Sequence, residues 1–361
     1  MSGAETDVQA AKSQPPARSS LWMALVGLTA AVLGVAAVAL FLLRDDEPAA
    51  PASQLDLGAV VAVDGVPRGI VNFQVGPALS GENQIVVELD PSEDPMLADI
   101  DRVDVALLPL VAGGEEQVAS IDLSGNPRRG AADVTLEGAL MWQAEISEQT
   151  SDVRLLLTTL YFMVPDPNLH GNDAVPLPET DPEAEQLYVM ASQAVAGLHR
   201  VTYEQDLSDG LGLAVLSHRA VNDGTDGSEP GFSYVNPGGF EAVVLGTTAW
   251  SRYPGEEWDI RETNQMVPPS EWGGEYSGAT GFQMGPVAET PAGSCRMITF
   301  VVPEEPRRSI AWYAWCIDER SGNVFRDAMI SRNHYMVTSF NNFDADIVIE
   351  PPTGAERREG G

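Results

Sequence analysis

Short apolar stretches separated by turn residues dominate the sequence from Leu57 to Val164 and constrain the fold most strongly. Stretches such as AVVAV, NQIVVELD and RVDVALLPLV have the residue types of β-strands. The segments between them, among them SGEN, DPSEDP and SGNPRRG, are rich in turn-forming residues. No helical periodicity is sustained across this region. Roughly seven or eight strands in about 110 residues predict an immunoglobulin-like β-sandwich over residues 57–165, with Trp142 in its core.

A helix followed by further strands is predicted for the second half of the chain. After a proline-rich linker over residues 166–181, Asp181 is a favourable N-cap and Gly197 a favourable end for a helix over residues 182–196. The apolar positions recur with helical spacing at Leu187, Met190, Ala191 and Ala194. One amphipathic helix before many strands predicts a curved antiparallel half-barrel sheet with a covering helix over residues 182–352.

Cys295 and Cys316 are the two cysteines of the chain, and each lies in an apolar stretch that predicts a strand. A four-residue loop over residues 304–307 would place the two directly opposite each other, within the range of a disulfide. A metal site would need more soft ligands at short spacing, and a redox centre usually has the C-x-x-C pattern. Both stay open as alternatives, and the disulfide is preferred. A disulfide requires an oxidising compartment.

The stretch from Leu21 to Leu43 has no charged residue and, as a helix, reaches about 34 Å, enough to span a bilayer core. It predicts a single-pass anchor in the cell membrane. The charge bias around it predicts a cytoplasmic N-terminus, residues 1–20, with the rest extracytoplasmic. Residues 44–56 are then a stalk and residues 353–361 a disordered tail. A small-residue face could also support an anchor homodimer through Gly27, Ala31 and Gly34.

Charge and motif content exclude several classes of function. The chain has 53 Asp and Glu against 20 Lys and Arg, a formal net charge of −33. Such a surface repels polyanions, so we expect no nucleic-acid partner. The sequence has no G-x-S-x-G, H-E-x-x-H or P-loop motif, and its four histidines are scattered. We therefore predict that the protein is not an enzyme and carries no cofactor.

The segment MISRNHYM contains the best candidates for a metal ligand. Thioether and imidazole groups together suit copper(I), and Met329, His334 and Met336 could supply them. The alternative is that both methionines fill an apolar interior, where flexible thioethers pack well. We favour the alternative and expect no metal site.

Two parts of the chain resemble known families. The frame GENQIVVELDPSEDPMLADIDRVDVALLPL resembles YtkA-like, copper-resistance-associated β-sandwich modules. Because residues 57–165 contain no histidine or cysteine, copper would find almost no ligands there, and we interpret this region as a spacer or docking module. The stretches AWYAWCIDERSGNVFRDAMI and HYMVTSFNNFDADIVIEPP resemble the lipoprotein-carrier superfamily, with its LolA-like and LprG-like folds. That resemblance implies binding of acyl chains or lipids between sheet and helix.

The predicted function is that of a membrane-anchored, extracytoplasmic, non-catalytic protein that binds a lipid or an acylated protein. The acidic exterior favours a neutral or zwitterionic lipid. A copper-handling accessory protein and an envelope sensor or scaffold are the alternatives. The helix and the strands are expected to contribute the walls of a ligand cavity, namely Leu187, Met190, Ala194, Val244, Met284, Phe300 and Met336.

Overall fold

The computed structural model describes residues 54–63, 66–90, 95–125, 128–150, 153–211, 214–264, 267–306 and 308–354. Over these residues the chain is mainly β-structure, with the short helices α1 (Pro95–Ala98) and α2 (Pro167–His170) and a longer helix, α3 (Pro182–Ala196). The first strands are β1 (Leu55–Val63), β2 (Val66–Gly76), β3 (Gly81–Asp90), β4 (Arg102–Pro109), β5 (Gln117–Asp122), β6 (Arg129–Leu136), β7 (Met141–Thr150) and β8 (Val153–Met163). The later strands are β9 (Arg200–Ser208), β10 (Ala214–Asn222), β11 (Gly231–Val235), β12 (Glu241–Leu245), β13 (Thr248–Arg252), β14 (Asp259–Glu262), β15 (Thr280–Thr290), β16 (Gly293–Val302), β17 (Ala311–Ile317), β18 (Val324–Ser331) and β19 (His334–Asn341).

Strands β1 to β8 form two four-stranded antiparallel sheets, which we call the two-sheet unit. Their strand orders are β1-β2-β3-β6 and β5-β4-β7-β8. Alternate residues of these strands point inward, and Phe73, Trp142 and Phe162 are among the largest fully buried side chains. The prediction that Trp142 is a core residue is confirmed, since it is 1 % exposed.

The later strands form one eleven-stranded antiparallel sheet with the order β14-β13-β12-β11-β10-β9-β19-β18-β17-β16-β15. Helix α3 packs on one face of this sheet, and its ends match the prediction. The Asp181 side chain accepts a hydrogen bond from the Glu183 N–H at 2.9 Å, and Gly197 is the C-cap. Because both caps depend on neighbouring residues, the sequence was sufficient to place the helix.

The two faces of the large sheet have different neighbours. Met297, Val301 and Trp312 join the hydrophobic core of the two-sheet unit, and we call their face the rear face. Ile298 and Phe300 lie in a separate core with α3, on what we call the helix-side face. This alternation follows from the two-residue period of a β-strand.

The two-sheet unit is bound to the rear face by polar contacts as well as by its core. The Tyr335 hydroxyl of β19 donates to the buried carboxylate of Asp166 at 2.9 Å and accepts from Asn168 Nδ2 at 2.7 Å. Arg326 of β18 donates to the Tyr161 hydroxyl of β8 at 3.4 Å. All described residues belong to one compact unit. The predicted domain boundaries at the 166–181 linker stay a prediction.

The predicted fold class and localisation need a correction. Among the described ranges, no helix is long and apolar enough to cross a membrane. The longest of them, α3, would reach about 23 Å, short of a hydrocarbon core, and it has Glu183 and Glu185 in its first turn. This finding contradicts a single-pass membrane protein as the fold and location. The segment for which the span was predicted, residues 21–43, lies outside the described residues.

Cys295 and Cys316 form a disulfide, as predicted, with their Cα atoms 5.3 Å apart. The predicted hairpin register is wrong by two residues, because Cys316 pairs with Met297 rather than with Cys295. The connection between β16 and β17 is longer than four residues. Within it, Glu305 and Arg308 exchange backbone hydrogen bonds of 2.9 and 3.0 Å, and β17 begins only afterwards.

Loss of the disulfide is expected to lower the free energy of unfolding by about 3 kcal/mol, because the bond closes a loop of about 20 residues in the unfolded chain. The Cys295→Ala/Cys316→Ala variant and the wild type should be compared by equilibrium urea unfolding. The wild type under reducing agent is the second arm and should approach the variant. A difference below about 0.5 kcal/mol would contradict the prediction.

Candidate ligand-binding cavity

A cavity lies between the C-terminal half of α3, the helix-side face of the large sheet and a 3₁₀-helical segment, Pro269–Tyr276, which we call the Trp272 segment. Its apolar walls come from all three elements and include Ala194, Val195, Leu198, Trp272, Trp315 and Phe340. The cavity lies between helix and sheet, at the C-terminal end of the helix.

A tight turn after β17 shapes the floor of the cavity. Gly322 has a φ of +78°, and a Cβ at this position would lie 3.1 Å from the Cβ of Ala194 and 3.0 Å from the backbone oxygen of Met190. Only glycine combines that conformation with so close an approach to α3. The turn thereby brings Asn323 and Val324 to the cavity wall.

Aromatic rings fill the rest of the interface between α3 and the sheet. The Tyr188 ring of α3 is stacked on Trp315 with centroids 5.3 Å apart, and Phe300 is stacked on Tyr313 at 5.2 Å. Phe282 and Ile298 are buried in the same cluster. The middle of the helix therefore packs on a core of aromatic rings, and the cavity lies at the C-terminal end of the helix.

The cavity has one polar corner. The Tyr276 hydroxyl donates to Asp327 Oδ2 at 3.0 Å, and the Asp327 side chain is 3 % exposed. The indole N–H of Trp315 is buried without a hydrogen-bond acceptor in the described part of the chain. A buried donor in that position costs about 1–3 kcal/mol unless something accepts its hydrogen bond.

The Trp272 segment covers the side of the cavity opposite the sheet, where Trp272 and Tyr276 line it. The Trp272 ring lies edge-on to Tyr203 at 5.8 Å and near Phe340 at 6.5 Å. The cavity volume is about 30 Å³, which is enough for a water molecule but too little for an alkyl chain. A ligand of the predicted class would need this segment to move.

Of the predicted cavity residues, Ala194 lines the cavity. Phe300 is buried in the core beneath α3, and Leu187, Met190 and Met284 pack against that core. Val244 lies in a different hydrophobic cluster, on strands β9 to β13. Apolar patterning of the sequence predicts that such positions are buried, but it does not distinguish a filled core from a hollow.

The cavity residues predicted from the sequence did not include several that line the hollow, among them Trp272, Phe340 and Asp327. The one available signal was the number of tryptophans in this half of the chain, including Trp272 and Trp315. An acidic residue inside the sheet could not be singled out in a chain with 53 of them.

The candidate metal ligands Met329, His334 and Met336 lie on two neighbouring strands. Met329 and Met336 pair directly across β18 and β19, and His334 lies on the same face of β19 as Met336. The Met336 sulfur accepts a hydrogen bond from Gln205 Nε2 at 2.9 Å, and burial lowers the pKa of His334. No described set of three His, Cys, Asp or Glu side chains could hold a metal. The expectation of no metal site stays a prediction.

No protein-family model matches the sequence, and no curated protein matches it either. Solved structures do match. The chain is similar to LprF from Mycobacterium bovis, with 14 % identity, a TM-score of 0.38, and coverage of 49 % of this chain and 100 % of that one. It is similar to the lipoprotein LppX of Mycobacterium tuberculosis, with 14 % identity, a TM-score of 0.36, and coverage of 47 % and 100 %. A LolA superfamily protein from Nitrosomonas europaea matches with 8 % identity, a TM-score of 0.23, and coverage of 46 % and 94 %.

Two of these neighbours are named as a lipoprotein and as a LolA superfamily protein. The YtkA-like, immunoglobulin-like module predicted for residues 57–165 is not shown by the comparisons.

Proposed function

We propose that the protein binds a hydrophobic ligand, a lipid or the acyl chain of an acylated protein, in the cavity between α3, the Trp272 segment and the large sheet. The observation that supports it is an aromatic, mainly apolar hollow at one end of an otherwise solid helix–sheet interface. Apolar walls with a few convergent polar groups are typical of small-molecule sites. In the polar corner, a ligand oxygen could accept the hydrogen bond of Trp315.

Opening requires the Trp272 segment to swing away from the sheet. Its Tyr276 end is tied to α3, because Tyr276 O accepts a hydrogen bond from the Tyr188 hydroxyl at 3.0 Å, and to the sheet through Asp327. The Trp272 end is held by ring packing and by the local bond from its indole to Val267 O. Rotation about the Tyr276 end would extend the hollow toward Tyr203. An alkyl chain gains about 0.8 kcal/mol for each methylene that it buries there.

Two valines of α3 provide a matched test. Val195 lines the cavity, whereas Val189 is 47 % exposed on the same helix. Val195→Phe is expected to weaken binding of cis-parinaric acid about tenfold, because the larger ring occupies the hollow. Val189→Phe should bind like the wild type. Fluorescence titration of the full chain measures both.

The same titration can contradict the proposal. Equal affinities of Val195→Phe and Val189→Phe would place the probe elsewhere on the surface, and no binding by the wild type would remove the ligand-binding function. Thermal unfolding of both variants controls for loss of fold.

A further inference from the structure

We propose that the ligand carries an anionic head group, a carboxylate or a phosphate, and that Arg219 binds it. The inference rests on the proposed function and specifies the chemistry of its ligand. It departs from the sequence-based expectation of a neutral or zwitterionic lipid, which considered only the acidic exterior.

Arg219 is held in place on the helix-side face of β10. Its guanidinium carbon lies 5.6 Å from the centroid of the Tyr203 ring and 5.1 Å from that of Tyr234. Its Nε donates to Ser217 Oγ at 3.2 Å. Two aromatic faces and one hydrogen bond orient the group in advance, so a ligand would pay little to order it.

Among the described residues the guanidinium has no acidic partner, although acids outnumber bases in the chain by more than two to one. Other part-buried arginines do have one. Examples are Arg200 with Asp226 at 3.0 Å, Arg252 with Glu241 at 2.9 Å and Arg296 with Glu319 at 3.6 Å. Within the described ranges, no carboxylate oxygen lies within 4 Å of Arg219. Its terminal N–H groups therefore stay available as a planar pair of donors, which matches two oxygens of a carboxylate or a phosphate.

A single aromatic ring, that of Tyr203, lies between Arg219 and the residues that line the cavity. Tyr203 contacts Arg219 with one face, and its centroid lies 5.4 Å from that of Phe340 and 5.8 Å from that of Trp272, both of which line the cavity. When the Trp272 segment opens, an alkyl chain between Trp272 and Phe340 would run past Tyr203 and bring its head group to Arg219. Carboxylate and phosphate share the required charge and acceptor oxygens.

The test compares cis-parinaric acid with its methyl ester, which has the same chain but no charge. The full-length wild type is expected to bind the acid about tenfold more tightly than the ester, the low end for a charge-assisted hydrogen bond. Arg219→Gln should bind both probes with the ester's affinity. Arg219→Lys should keep part of the preference, because the charge remains.

Arg252→Gln is the matched control. Arg252 also lies over an aromatic ring, that of Trp258 at 4.4 Å, but it belongs to β13 and is paired with Glu241. This variant should keep the full preference for the acid. A preference that survives in Arg219→Gln, or a wild type that binds acid and ester equally, would overturn the inference and leave the proposed function standing. Failure of both probes to bind would overturn the proposed function and this inference with it.

Competition distinguishes the source of the anion. Octadecanoate and octadecyl phosphate should each displace the bound probe, and the stronger competitor identifies the preferred head group. Inorganic phosphate at the same concentration should not displace it, because it has no chain to bury. Displacement by inorganic phosphate as effective as that by octadecyl phosphate would indicate an ion site without a lipid and overturn the inference.

Discussion

Asparagine in place of Asp206 is expected to stabilise the protein above pH 7 by up to about 4 kcal/mol and to leave its stability near pH 4 almost unchanged. Burial, aided by the negative charge of Glu204, raises the pKa of Asp206 to about 7 from its ordinary value of 3.8. Each unit of pKa difference between the folded and unfolded states corresponds to about 1.36 kcal/mol. Some water still reaches this half-buried side chain, so the full value is an upper bound.

The sign follows from where the proton is bound. Between pH 3.8 and about pH 7 the unfolded chain has released the Asp206 proton while the folded chain retains it. The free energy of unfolding therefore falls as the pH rises through this window, and it stops falling above it. Asparagine does not ionise and removes this loss.

The position of Asp206 explains the burial. It lies on the rear face of β9, the same face as Ser208, whose hydroxyl accepts the Gly58 N–H of β1 at 3.2 Å. Its Oδ1 is buried without a hydrogen-bond partner among the described residues. An ionised carboxylate at this junction is therefore poorly solvated.

Urea unfolding of wild type and Asp206→Asn between about pH 4 and pH 8 measures the effect. Asp99→Asn, at an exposed position, is the control and should follow the wild-type profile. Parallel profiles for the wild type and Asp206→Asn would show that this carboxyl does not titrate abnormally.

Phe300→Ala is expected to lower the free energy of unfolding by about 3–5 kcal/mol. The Phe300 ring is 1 % exposed and contacts the rings of Tyr313, Trp315 and Tyr188, so alanine would leave a cavity at the centre of the helix–sheet core. Val189→Ala on the exposed side of α3 should change the same quantity by less than about 0.5 kcal/mol.

The size of this stability loss shows whether Phe300 lies in a packed core or forms the wall of an open cavity. A loss below about 1 kcal/mol would mean that the ring contacts little, as expected if Phe300 were the wall of an open cavity. That was the role predicted from the sequence. A large loss would confirm that the core is solid there and that the hollow begins only near Ala194.

Features that depend on nearby residues were predictable from the sequence. The helix over residues 182–196 has both of its ends specified by adjacent residues, and the alternation along β16 depends on one strand only. The pairing of Cys295 with Cys316 follows from having two cysteines in neighbouring strands, even though the predicted register was wrong. That register depends on the connection between β16 and β17, which is longer than the four residues of the predicted loop.

The sequence by itself determined the β-rich character, the covering helix and the disulfide, because backbone preferences and side-chain periodicity act over a few residues. Only the tertiary structure decided where the helix–sheet interface is filled and where it is hollow. Trp272, Phe340 and Trp315 come from separate parts of the chain, and packing between such distant side chains has no local signature. The same holds for Arg219, because the absence of an acidic partner among the described residues depends on all the side chains that surround it in space.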